Sequence, residues 1–212
     1  MPPNEPFLMY NVYMFHIRSE VISEIEIKKS KFFGILTPAS SIEEAKELLS
    51  DVRKRYPNAT HYCTAMIFDN IQRSNDDGEP SGTAGLPMLE CLRHKDLNNV
   101  VMIVVRYFGG TLLGTGGLVK AYQQSTLAAI EKAVLTLPVE AGLYTVSVSY
   151  DLINRMEMLL RKEAEIKDRQ YDEQVTFTYM SEKDLTRQIQ EISNGSARPE
   201  LIENVIIEKP VS

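Results

Sequence analysis

An α+β fold is predicted by three features of the sequence. Val21, Ser23, Ile25 and Ile27 alternate with Glu20, Glu24 and Glu26, and a second apolar run follows after Lys28, Lys29 and Ser30, the pattern of a half-buried hairpin. Val100–Val105 is a continuous apolar stretch, as expected of a strand buried on both faces, and it leads through five glycines into a helical pattern. Beyond Pro138 the apolar spacing starts afresh as strand, helix, strand, strand, helix and strand.

Taken in order, the returning strand of the hairpin spans residues 31–36 and ends before Pro38. Ser40 or Ser41 then caps a helix, with Glu43 or Glu44 completing a capping box. Ile42, Ala45, Leu49 and Val52 form its buried stripe, and Arg53, Lys54 and Arg55 complement the dipole at its end. A third strand is expected over 60–68, followed by a long polar connection and an apolar segment from Leu86 to Leu92. After the glycines, a helix is expected over about 118–135; it is apolar nearly all round, which implies deep burial. The product is expected to be a sheet covered by helices on one face.

Residues 138–142 read as a linker, since proline and glycine separate the long helix from a new strand over 143–150. Two helical stripes follow, Leu152, Met156 and Leu159, then Leu185, Ile189 and Ile192. Strands are expected near 165–171, 173–179 and 203–208. This βαββαβ order is a ferredoxin-like pattern. The expected division is therefore a flexible tail or start-site extension over 1–17, a first domain over 18–137, the linker, and a second domain over 143–212.

Composition excludes little but points one way. Hydrophobic residues make up 43% and charged residues 25%, the proportions of a globular protein, and no apolar run reaches the roughly 18 residues that would indicate a membrane span. The first residues carry acid and proline where a secretory signal would be basic and then apolar, so a cytoplasmic location is expected. The formal charge of −6 lies mainly in residues 140–212, whose 9 basic and 14 acidic side chains balance to −5. A surface for nucleic acid would have to be local to the first part of the chain. Cys63 and Cys91 lack any zinc-type spacing and are expected to be reduced and buried.

Two segments carry candidate sites. In the glycine loop, Gly109, Gly110, Gly114, Gly116 and Gly117 leave main-chain amides unshielded at the start of a helix, and Arg106 and Lys120 flank them with positive charge. That combination fits an anion such as phosphate, and tight strand-to-helix packing accounts for the same glycines. The segment matches neither the phosphate loop nor the dinucleotide fingerprint. Tyr107 fits base stacking and core packing alike, whereas Phe108 is expected in the core. Upstream, Arg73 precedes Asp76, Asp77 and Glu79, carboxylates that could hold magnesium or act as a general base, or simply form a solvated turn with their glycine and proline neighbours. His61 and Cys63 share a strand face, but i and i+2 positions are about 6 to 7 Å apart and no orienting acid is evident in the sequence, which argues against a catalytic pair.

The segments VVMIVVRYFGGTLLGTGGLVKAY and RSNDDGEPSGTAGLPML resemble the IMPACT family, whose bacterial members are often called YigZ-like, and the likeness extends over roughly residues 21–133. The resemblance implies a first domain of the ribosomal protein S5 domain 2 type and a smaller second domain. It also makes the two loops the family's signature segments. Eukaryotic relatives regulate translation by competing for a co-activator of a kinase that phosphorylates an initiation factor. An S5-like domain followed by a ferredoxin-like one is also similar to the last two domains of elongation factor G. The leading expectation is thus a translation-related regulator, not an enzyme and without a cofactor or metal. It would bind RNA, the ribosome or a translation-associated protein through the glycine-rich surface, with no membrane partner. The alternatives are a phosphate- or metal-dependent hydrolase at the same surface and a pure protein-interaction module.

Overall fold

A computed structural model describes residues 15–68 and 71–211, and within them it contains two five-stranded sheets and five α-helices, a mixed α/β architecture. The chain divides into two compact units: the described residues up to Leu137, together with Pro210 and Val211, form the first, and Pro138–Lys209 form the second. Of the expected tail, residues 1–14 lie outside the described residues, while His16 and Ile17 form a short strand, β1.

In the first unit, β2 (Val21–Ile27), β3 (Ser30–Pro38), β4 (His61–Phe68), β5 (Ile71–Asn75) and β6 (Val100–Tyr107) form an antiparallel sheet in the order β2-β3-β6-β4-β5. The apolar run makes β6 the centre of this sheet, and Val100 to Val105 are all fully buried. Its alternate residues serve two cores. Val100, Met102 and Val104 lie in a cluster with α2 (Gly85–His94) and α3 (Thr115–Ile130), whereas Val101, Ile103 and Val105 lie in a cluster with α1 (Ile42–Arg55). The sheet is therefore covered on both faces and not on one. A central strand with no polar face leaves no other solution, because either side left open would expose about half of its side chains.

Local chemistry sets the helix ends. Ser41 caps α1 by accepting from the Glu44 amide at 3.2 Å, and Glu44 reaches back to the Ser40 amide at 2.8 Å. The long helix starts a turn earlier than its apolar pattern and stops at Ile130, so Leu135 belongs to the next strand.

That strand, β7 (Leu135–Val148), contains residues 138–142, the expected linker. Residues 138–142 are therefore extended strand and not a loop, and Gly142 is paired with Ser181 in a ladder. β8 (Glu165–Tyr171), β9 (Val175–Ser181) and β10 (Glu200–Pro210) join β7 in the order β10-β7-β9-β8, and β1 pairs with Leu135 and Thr136 at the start of β7 as the fifth strand. Val146, Val148, Phe177 and Tyr179 bury one face of this sheet with Met156 and Leu160 of α4 (Ile153–Glu163) and Ile189 of α5 (Thr186–Ser193). Among the described residues, no helix is long and apolar enough to cross a membrane.

Candidate functional site

Strand register in the first unit places Phe32 of β3, Arg106 of β6 and His61 of β4 side by side, since Arg106 is opposite both of the others. Cross-strand partners share a face. This row lies at the end of the central strand, where the chain enters the glycine loop, and the polar loop after β5 folds over it. A cavity of about 450 Å³ opens there, lined by Gly78, Glu79 and Pro80 of the polar loop, by Arg106 and Phe108, and by Leu112 to Thr115 at the start of α3. The two loops singled out by sequence thus meet at one place.

The polar groups of the site form a connected network. Arg106, only 5% exposed, donates through Nη1 to Glu79 Oε1, and Tyr122 Oη donates to the same oxygen at 2.8 Å. Cys63 Sγ lies 3.3 Å from Tyr122 Oη and 3.0 Å from the Asp76 carbonyl oxygen. Burial pushes the Cys63 thiol up to about 12 and raises the Tyr122 hydroxyl well above its ordinary range, so neither is an available nucleophile. His61 Nδ1 lies 2.8 Å from the Asp77 carbonyl oxygen, and its Nε2 faces Glu79 Oε2 across 3.8 Å.

This placement corrects several expectations. Arg106 is not an open cation, because its charge is matched in the interior by Glu79; an unpaired guanidinium could not be held at this depth. Asp76 does not face a ligand. Its carboxylate accepts from the amides of Gly82, Ala84 and Gly85 at 2.8 to 3.0 Å and so caps α2, whose own N-cap residue, Ala84, has no side-chain acceptor. Burial works to raise the Asp76 carboxyl, yet the three amides together hold it below its usual range. Asp77 accepts from the Tyr62 amide at 2.7 Å and pairs with Arg53 at 3.1 Å. Among the described residues, no group of three His, Cys, Asp or Glu side chains is arranged to hold a metal ion.

Tyr107, undecided between stacking and core, packs partly buried against the core, and Phe108, expected in the core, does not. The Tyr107 hydroxyl donates to the Pro57 carbonyl at 3.1 Å and its ring meets Phe33 edge-on at 6.0 Å, whereas Phe108 is 46% exposed at the cavity mouth. The sheet ends at Tyr107, so Phe108 escapes the alternation that would have buried it. Lys120 is exposed on α3 but does not line the cavity: Thr115 and Leu118 do, and two residues beyond Leu118 is about 200° further round the helix. Arg73 is exposed on β5 and lines a separate groove with Ile42 and Leu49 of α1.

The glycines divide in the same way. A Cβ on Gly109 would fall 2.0 Å from the Lys29 carbonyl carbon, so its absence serves contact with the hairpin turn. Gly110 and Gly114 have φ of 81° and 72°, which the loop requires. Gly117 packs closely on Leu113, and only Gly116 faces open space within α3 without a positive φ. The first amides of α3, at Thr115, Gly116 and Gly117, precede its first four-apart hydrogen bond, from Leu118 to the Gly114 carbonyl.

One contributor and one relation escaped the sequence reading. Leu112, 82% exposed at the rim, gave no sequence signal beyond its apolar character among glycines, and Glu79, already a candidate carboxylate, is the acid beside His61, 18 residues away along the chain and joined to it only by the fold.

Comparison with known proteins covers nearly the whole chain. The sequence pattern described as the Impact N-terminal domain matches residues 28–130. The IMPACT family member YvyE of Bacillus subtilis is 37% identical over 197 residues, spanning 89% of this chain and 91% of its own length. The IMPACT family member YigZ of Escherichia coli is 40% identical over 140 residues, 64% of this chain and 69% of that protein. A crystal structure of a hypothetical protein superposes with a TM-score of 0.58 at 31% identity, covering 90% of this chain and 97% of the other.

Proposed function

The chain belongs to the IMPACT family, and from that premise we propose that it is a cytoplasmic, translation-related regulatory protein that acts by binding a translation-associated protein at the cavity mouth of its first unit. The observation that carries this reading is the convergence of both signature loops on a cavity whose rim exposes Phe108 and Leu112 while its two charged residues neutralise each other. Apolar rims around a central depression are the usual anchor points of protein interfaces. RNA or the ribosome at this surface is supported by the first amides of α3, while Lys120 lies away from the cavity. That reading is weakened by the internal pairing of Arg106 and by the −6 formal charge. Burial of the Cys63 thiol speaks against a hydrolase that would use it as nucleophile.

The domain assignment belongs to the same proposal: an S5 domain 2-like first domain over 18–137 and a ferredoxin-like second domain over 143–212. The sheet order β10-β7-β9-β8 with α4 and α5 against it supports the second part.

The test is affinity purification of wild-type protein and of Leu112→Ser from cell extract, with and without nuclease and at raised salt. Translation factors or ribosomal proteins should stay bound after nuclease treatment and be lost in the variant. Capture that contains no such protein, or that ignores Leu112, would refute the assignment, and capture abolished by nuclease would move it to RNA.

A further inference from the structure

The polar floor of the cavity contains two acceptors that face each other, His61 Nε2 and Glu79 Oε2, beside the buried Arg106 Nε, which has no hydrogen-bond partner among the described residues. The Asp77 carbonyl can only accept, so His61 donates through Nδ1, and in the uncharged form of the ring Nε2 presents a lone pair. Opposite it, at 3.8 Å, is Glu79 Oε2, whose companion oxygen already accepts from Arg106 and Tyr122. That separation is too long for a direct hydrogen bond and suits a group that donates into the space between them.

Resting on the reading of this face as the binding surface, we propose that the cavity selects an aromatic side chain tipped with a neutral hydrogen-bond donor, a tyrosine of the partner protein. Three features choose that occupant over others. The walls are apolar, with Phe108, Leu112, Leu113 and Leu118 around about 450 Å³, within the size range of pockets that enclose a compact group. The two charged residues lining the cavity, Glu79 and Arg106, cancel, so an ammonium ion entering would meet the Arg106 guanidinium and an anion would meet Glu79. A phenol supplies a rigid apolar body and one donor, and its burial restricts few torsions.

The probes are N-acetyl-L-tyrosinamide, its O-methyl ether, and the corresponding phenylalanine and lysine amides, titrated into the isotope-labelled full chain and followed by amide chemical shifts. The tyrosine amide should bind about tenfold more tightly than the phenylalanine amide, shifting Gly78 and residues 108–113, because its hydroxyl alone reaches the charged acceptor. The methyl ether, which keeps the oxygen and loses the donor, should fall to the phenylalanine value, and the lysine amide should be weakest. His61→Asn keeps an N–H for the Asp77 carbonyl and removes the acceptor at the far side of the ring. It should weaken the tyrosine preference to the part that Glu79 Oε2 alone sustains and leave phenylalanine binding unchanged. Equal binding of the tyrosine and phenylalanine amides, or equal binding of the ether and the phenol, would overturn the proposal whether or not the His61 variant folds. If that preference fails while capture of translation proteins still depends on Leu112, the inference falls and the functional reading stands; a clear preference without such capture gives the converse.

Discussion

The polar loop at residues 76–83 and the glycine loop at residues 108–114 meet at one cavity, yet they use their side chains in opposite directions. The polar loop turns its charges inward: Asp76 holds three amides, Asp77 a fourth, and Glu79 neutralises Arg106. The glycine loop turns apolar side chains outward, with Leu112 and Phe108 at the cavity mouth. Acidic residues in a turn are ordinarily solvated, and leucine among glycines is ordinarily packed. Here the hydrophilic segment builds the fold, and the apolar one is left exposed. Charge in a loop is therefore a poor guide to its function until its partners are known.

The sharpest way to break this contrast is Glu79→Ala. It leaves Arg106 buried and unpaired, and should cost about 3–5 kcal/mol in denaturant unfolding. Asp76→Ala should cost about 3 kcal/mol by orphaning the amides of Gly82, Ala84 and Gly85. Its pH dependence has a fixed sign. The folded carboxyl titrates below its unfolded value, so the stabilisation is complete above about pH 4 and is lost as pH falls through the lowered folded value, a loss the Asp76→Ala variant should not show. Gly109→Ala, which drives a methyl into the Lys29 carbonyl, should cost about 2 kcal/mol. Leu112→Ser should change stability by less than about 0.5 kcal/mol while abolishing partner capture. A large loss of stability at Leu112, or none at Asp76, would erase the distinction between the loops.

The elements written in local pattern were legible. The alternation of residues 21–27, the Ser41 and Glu44 cap and the apolar run of β6 each correspond to an observed element because neighbouring residues determine them. The edge strand β5 was not, since Ile-Gln-Arg-Ser-Asn is exposed along its whole length and carries no alternation to read. Cover on both sheet faces was implicit in β6, which is apolar at odd and even positions alike, although the helix that supplies the second cover lies 45 residues earlier. Within the site, sequence found the two segments and misjudged their partners. The pairing of Arg106 with Glu79 spans 27 residues and depends on how a loop crosses a sheet end, which neither composition nor period encodes. The exposure of Phe108 turns on the sheet ending one residue before it.

The Cys63 thiol, shut beneath the polar loop and hydrogen-bonded to Tyr122 and to the Asp76 carbonyl, amounts to a built-in clock for that loop. A maleimide or disulfide reagent can react with it only when residues 76–79 lift away and the proton is released. The rate of modification therefore counts openings that spectroscopy of the folded state would average out. A partner seated at the cavity mouth would slow that clock without touching the sulfur.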